Sequence, residues 1–233
     1  MSKELNIRIS NLVEGLPSDY VATPEETLFF KRYTGCDDFL ITDTLIDNIW
    51  NWFEEELLNY GVDGDRDIPG AVSILHTNSG AGKILSNAPK NSLITAYNID
   101  YTCKRITDFV CQDRKEQGLY FSAERDISQY FAVCNTNSSR KYSIVITQPQ
   151  NDMEFYKGID YNSKIGNKNP LNYYSERGAH FVDDHGYLVI IYEPNQANEI
   201  NRLALNLGME IVKIVEDKDY KYEAYEAVIL RKK

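Results

Sequence analysis

Residues Ser73 to Leu85 read SILHTNSGAGKIL: an apolar, strand-like run stops in a polar turn with two glycines and resumes as a helix-like segment. Two phosphate or nucleotide loops have this outline. A P-loop needs a glycine five positions before its Gly-Lys pair, and a Ser or Thr after the lysine to ligate magnesium. Gly82-Lys83 is present, but Thr77 stands at the early position and Ile84 follows the lysine, so the magnesium hydroxyl is missing. The other candidate is the strand–glycine turn–helix that opens a nucleotide-binding α/β domain, where Gly80 and Gly82 let the backbone pass close to a ligand. An ordinary strand-to-helix connection also accommodates glycines.

Outward from this turn, short β-branched runs alternate with longer amphipathic or polar segments: AVSIL, LITAYNI, GLYFSA, YSIVIT and YLVIIY. Runs too short for helices, recurring in this way, predict a parallel sheet covered by helices. The last two, GMEIVKIVED and YEAVILRKK, flank the charged KDYKYEA and predict an antiparallel hairpin at the end of the sheet. Upstream, DTLIDNIWNWFEEELLNYG sets Leu45, Ile46, Ile49, Trp50, Phe53 and Leu57 at helical spacing, with Gly61 as the stop. The loop VDGDRDIPG follows, so residues 1–67 are expected to form an N-terminal extension with an amphipathic helix, and 68–233 the α/β domain.

A chain of 233 residues, 42% hydrophobic, is long enough for one sizeable core. Its 25 basic and 35 acidic side chains leave a net charge of -10, which disfavours non-specific nucleic-acid binding. Cys36, Cys103, Cys111 and Cys134 form no C-x-x-C pair and no zinc spacing with the histidines, which suits reduced thiols and predicts no metal. The start, MSKELNIRIS, has no apolar signal core, and no apolar run reaches membrane-spanning length. A cytoplasmic protein with no membrane partner is the expectation.

The order of these segments resembles the class I S-adenosylmethionine-dependent methyltransferase fold over roughly Ile68 to Lys233, and its motifs resemble those of adenine-specific amino-methyltransferases. The resemblance implies a Rossmann-like seven-stranded, mostly parallel sheet with a C-terminal antiparallel hairpin and helices on both faces. The family's first loop, D-P-x-C/G-G-S/T-G, is matched by His76-Thr77-Asn78-Ser79-Gly80-Ala81-Gly82. Both final glycines are kept, and a histidine replaces the acid that holds the methionine ammonium group. The second strand's G-x-E-I-D-P is matched by Ala96-Tyr97-Asn98-Ile99-Asp100-Tyr101, so an amide stands where a carboxylate accepts from the ribose. Asp100 also reads as a helix N-cap. In the third motif, Arg125-Asp126-Ile127, Asp126 would accept from the adenine amine.

The family's fourth motif, D/N/S-P-P-Y/F, is matched by Gln148-Pro149-Gln150-Asn151. In the family the first side chain and a following carbonyl accept the two hydrogens of the target amine, and the aromatic stacks on a flipped base. Here the acceptor and first proline are kept, while the second proline and the ring are replaced. The resemblance therefore implies S-adenosylmethionine as cofactor, held by His76, Asn78, Gly80, Gly82, Asn98 and Asp126, with Gln148 and Pro149 at the amine. His180 and His185 read as a helix-side and a turn residue. The segment from Tyr156 to Tyr174, with Lys157, Lys164, Lys168, Tyr161 and Tyr173, is either a nucleic-acid contact or a polar insertion with tyrosines packed at its base. Two functions follow: DNA or RNA methylation at adenine, or a pseudoenzyme that keeps the fold to bind a protein partner.

Overall fold

The computed structural model describes residues 41–60, 72–77, 79–80, 82–90, 92–98, 104, 107–108, 110–124, 140–148, 169–216 and 225–233. Seven strands form one sheet: β1 (Ser73–His76), β2 (Leu93–Asn98), β3 (Tyr120–Glu124), β4 (Tyr142–Thr147), β5 (Val182–Tyr192), β6 (Glu210–Val215) and β7 (Glu226–Arg231). Their order is β3-β2-β1-β4-β5-β7-β6. The pairs β2/β3, β1/β2, β1/β4 and β4/β5 are parallel, whereas β7 lies antiparallel between β5 and β6. The expected parallel sheet with an antiparallel ending is thus the observed one.

Alternation along the strands makes two cores, one on each face. Ile74, Ile94, Ile144, Val189 and Ile229 belong to one, under helix α1 (Asp43–Tyr60). This helix buries Leu45, Ile46, Ile49, Trp50 and Phe53 of the stripe its spacing predicted; the Leu57 side chain lies outside the described residues. Thr42 caps it, its hydroxyl accepting from the Leu45 amide at 3.1 Å. The Trp50 indole donates to the Ile84 carbonyl at 2.8 Å, which ties α1 to the helical turn α2 (Lys83–Ser86) directly behind the glycine turn. Phe53 and Trp52 meet Tyr187 of β5 edge-on, at 5.5 and 5.6 Å. A short helix α3 (Gln112–Glu116) precedes β3.

Leu75, Val145, Leu188, Val228 and Leu230 point to the other face, covered by α4 (Pro170–Phe181) and α5 (Ala197–Leu207). Asn169 starts α4: its side chain accepts from the Leu171 amide at 2.9 Å, and Pro170 occupies the first turn, where no amide is needed. Asn169→Ala is expected to lower stability by about 1 kcal/mol in denaturant unfolding, because an amide of the first turn loses its acceptor. The turn expected at His185 is present as a bulge within β5. Tyr142 pairs with Val182 and Ile144 with Tyr187, and His185 takes φ 63°. Among the described residues no helix is long and apolar enough to cross a membrane.

Candidate functional site

The chain leaves β1 for β2 on one side, and reaches β4 on the other, so the strand order reverses at β1. In open α/β sheets a crevice opens at such a reversal, beyond the carboxyl ends of the strands. His76 ends β1 there, in register with Ala96 of β2 and Ile146 of β4. The following turn is tied to both neighbours: the Thr77 amide donates to the Ile146 carbonyl and the Ser79 amide to the Tyr97 carbonyl, each at 3.0 Å. Gly80 and Gly82 take φ of 50° and 76°, the left-handed region.

Asn98, at the end of β2, lies on the same sheet face as Ile94 and Ala96, and its amide nitrogen donates to Ser79 Oγ at 2.8 Å and Thr107 Oγ1 at 3.3 Å. Thr107 in turn donates to the Gly80 carbonyl at 2.8 Å. A Cβ on Gly82 would stand 2.8 Å from Thr107 Cγ2, so this glycine lets the helical segment carrying Thr107 close against the turn. The amide of Asn98 is thereby held with its oxygen, Oδ1, left over: it is buried and has no hydrogen-bond partner among the described residues.

His76 is fully buried, and neither ring nitrogen has a hydrogen-bond partner among the described residues. Burial pushes its pKa down to about 3, so the ring is neutral at physiological pH and offers one donor and one acceptor. Gln148, directly after β4, is also buried. The structure thus brings His76, Gly80, Gly82, Asn98 and Gln148 together at the ends of three adjacent strands. Asn78, Asp126 and Pro149, expected beside them, lie outside the described residues, as do Asp100, Gln150 and Asn151.

Ser79 and Thr107 belong to the site although sequence reasoning did not select them. Ser79 sits inside the quoted turn, but Thr107 approaches only through the tertiary fold. Lys83 does not reach toward a phosphate: its ammonium donates to the Ile41 carbonyl at 2.8 Å and pairs with Asp43 at 3.0 Å. Tyr173 and Tyr174, which the sequence left either as nucleic-acid contacts or as tyrosines packed at the base of an insertion, are buried in α4 and pack edge to face at 5.4 Å. The cap at Asn169 starts the helix early enough to turn both rings into the core, so these two tyrosines present no stacking surface. The rest of that segment, from Tyr156 to Lys168, lies outside the described residues. His180 lies in the last turn of α4, and His185 sits in the bulge. Cys111 is a buried free thiol whose pKa burial pushes up to about 12. Among the described residues no group of three or more His, Cys, Asp and Glu is placed to hold a metal.

The sheet order defines the fold as that of the class I S-adenosylmethionine-dependent methyltransferases. One similar solved structure is magnesium protoporphyrin IX methyltransferase of Synechocystis PCC 6803 with bound S-adenosylmethionine, 12% identical over 100% of this chain and 92% of that one, with a TM-score of 0.53. Another is a Listeria monocytogenes protein described as a class I S-adenosylmethionine-dependent methyltransferase, 14% identical over 99% of this chain and 68% of that one, with a TM-score of 0.54. No family model matches the sequence, and no curated protein does.

Proposed function

We propose that this chain is an S-adenosylmethionine-dependent methyltransferase that modifies an exocyclic amine, of the kind adenine carries in nucleic acid. The observation that carries the reading is the set of buried, unpartnered polar atoms at the topological switch point: both nitrogens of His76, and Oδ1 of Asn98. Buried polar groups are almost always hydrogen-bonded, so atoms left over at a ligand crevice fit a ligand that supplies the partners. Asn98 Oδ1 would accept from a ribose hydroxyl, and His76 would meet the amino-acid end. Bound there, S-adenosylmethionine supplies an electrophilic methyl group. Gln148 accepts an N–H of the amine and turns its lone pair toward that methyl.

Methyl transfer from labelled cofactor to mixed DNA and RNA, with calorimetry alongside, tests this reading. Gln148→Ala is expected to reduce transfer about a hundredfold while cofactor affinity stays within about twofold, because the lost contact is made to the substrate. Transfer that survives the substitution would remove Gln148 from the amine site.

A second reading, a module that keeps the fold for binding and has lost the reaction, is favoured by the neutrality of His76 and Asn98 where the resemblance calls for acids. It predicts no transfer to any nucleic acid, with cofactor binding weakened or lost, and a protein partner in place of a substrate.

A further inference from the structure

The Asn98 amide nitrogen donates to two hydroxyls, and only one of them decides which way the amide faces. Ser79 Oγ, at 2.8 Å, could accept from the nitrogen or donate to the oxygen, so it suits either orientation. Thr107 Oγ1, at 3.3 Å, does not: a hydroxyl carries a single proton, and this one is given to the Gly80 carbonyl at 2.8 Å. Toward Asn98 the Thr107 oxygen can therefore only accept. The amide nitrogen must face it, and Oδ1 is turned the other way. Asn98 and Thr107 are both fully buried, which makes an unmade bond between them costly.

Thr107 is itself anchored. The Cys111 amide donates to its carbonyl at 2.9 Å, and the next residue, Asp108, pairs with Lys104 at 2.7 Å and Lys115 at 3.3 Å and accepts from Tyr120 and Ser122 of β3. We propose that Thr107 is the positioning residue of the crevice: it holds the Asn98 nitrogen toward itself and leaves Oδ1 as the acceptor that a ligand meets. While the Thr107 proton is held by Gly80, a carboxylate at position 98 would have no proton to offer that oxygen, so the pair matches a hydroxyl to an amide. The inference rests on the crevice being an adenosyl site, where an acceptor held in advance serves a ribose hydroxyl without the cost of turning the amide on binding.

Calorimetry with S-adenosylhomocysteine, and the side-chain amide signal of Asn98 in the isotope-labelled full chain, test it. Thr107→Val keeps the shape and removes the hydroxyl, so it should weaken S-adenosylhomocysteine about tenfold, and Thr107→Ser should hold affinity within about threefold of wild type. In an Asn98→Ala background Thr107→Val should cost no more than about twofold further, because its effect on the ligand passes through the amide. In the free protein one Asn98 Nδ2 proton, identified by its absence from the Asn98→Ala spectrum, should move upfield in Thr107→Val and return in Thr107→Ser. Thr107→Ala removes the same hydroxyl and takes the place of the valine if that variant fails to fold. Affinity that Thr107→Val leaves unchanged, a loss that persists without the Asn98 amide, or an unmoved Nδ2 signal would each overturn the inference. Failure of the wild type to bind at millimolar concentration would remove the adenosyl site, and the Nδ2 signal would then decide the orienting role alone.

Discussion

Gly82→Ala is expected to lower the unfolding free energy by about 2–5 kcal/mol, the sum of two separable costs. At φ 76° an L side chain pays about 1–2 kcal/mol for left-handed backbone. The new methyl would also stand 2.8 Å from Thr107 Cγ2 and 3.2 Å from Thr107 Cα, and overpacking of this kind costs about 1–3 kcal/mol. Rotating Thr107 away does not relieve the clash freely, since its hydroxyl is held by the Gly80 carbonyl and by Asn98. Gly208→Ala separates the two costs: its φ is 63° with nothing within 4 Å of the added Cβ, so it should lose only the backbone part. Thr107→Ser in the Gly82→Ala background removes Cγ2, keeps the hydroxyl, and should recover the overpacking part alone. Denaturant unfolding of these four proteins and of Thr107→Ser alone gives the cycle; a Gly82→Ala loss no larger than that at Gly208 would mean that the turn and the Thr107 segment are not in contact.

Acid should reveal the second large effect, at His76. With a folded-state pKa of about 3 against an ordinary 6.5, the unfolded chain binds the proton first as pH falls. Stability is therefore full above pH 6.5, drops through the window from 6.5 to about 3, and stays low beneath it. Between pH 7 and pH 4 the loss from this one ring is about 3 kcal/mol. His76→Leu, which leaves no buried ring to protonate, should abolish that component, and the carboxylates that also titrate in acid are common to both proteins. The difference in unfolding free energy between variant and wild type should then grow by about 3 kcal/mol across this range. A difference independent of pH would mean that His76 reaches solvent or finds a partner in the folded protein.

The fold was legible because its signals are local. The β-branched runs at Ile74, Ile94, Ile144 and Val189, the helical stripe from Leu45 to Phe53 and the antiparallel ending at Ile211 and Val228 each depend on periodicity along a few residues. The insertion of β7 between β5 and β6 is a matter of long-range pairing, and no local pattern encodes it. At the site the two glycines could be read in the turn itself, whereas Asn98 followed only from the family resemblance. Thr107 was missed because its contact with Gly82 and Gly80 depends on how the segment after β2 leans on the turn. For Tyr173 and Tyr174 the polar neighbourhood left contact with nucleic acid and packing at the base of an insertion both open, and the cap at Asn169 decides for packing. The neutrality of His76 was visible as a residue type, while its lack of hydrogen-bond partners emerges only when three strand ends converge.

The central claim is that the crevice at the ends of β1, β2 and β4 is an adenosyl site, and a crystal structure of the full chain with S-adenosylhomocysteine tests it most directly. The ligand is expected over the Ser79–Gly82 turn, with a ribose hydroxyl donating to Asn98 Oδ1 and the amino-acid end within hydrogen-bond distance of a His76 nitrogen. A ligand bound elsewhere, or crystals soaked at millimolar concentration with His76 and Asn98 Oδ1 still unpartnered, would contradict it.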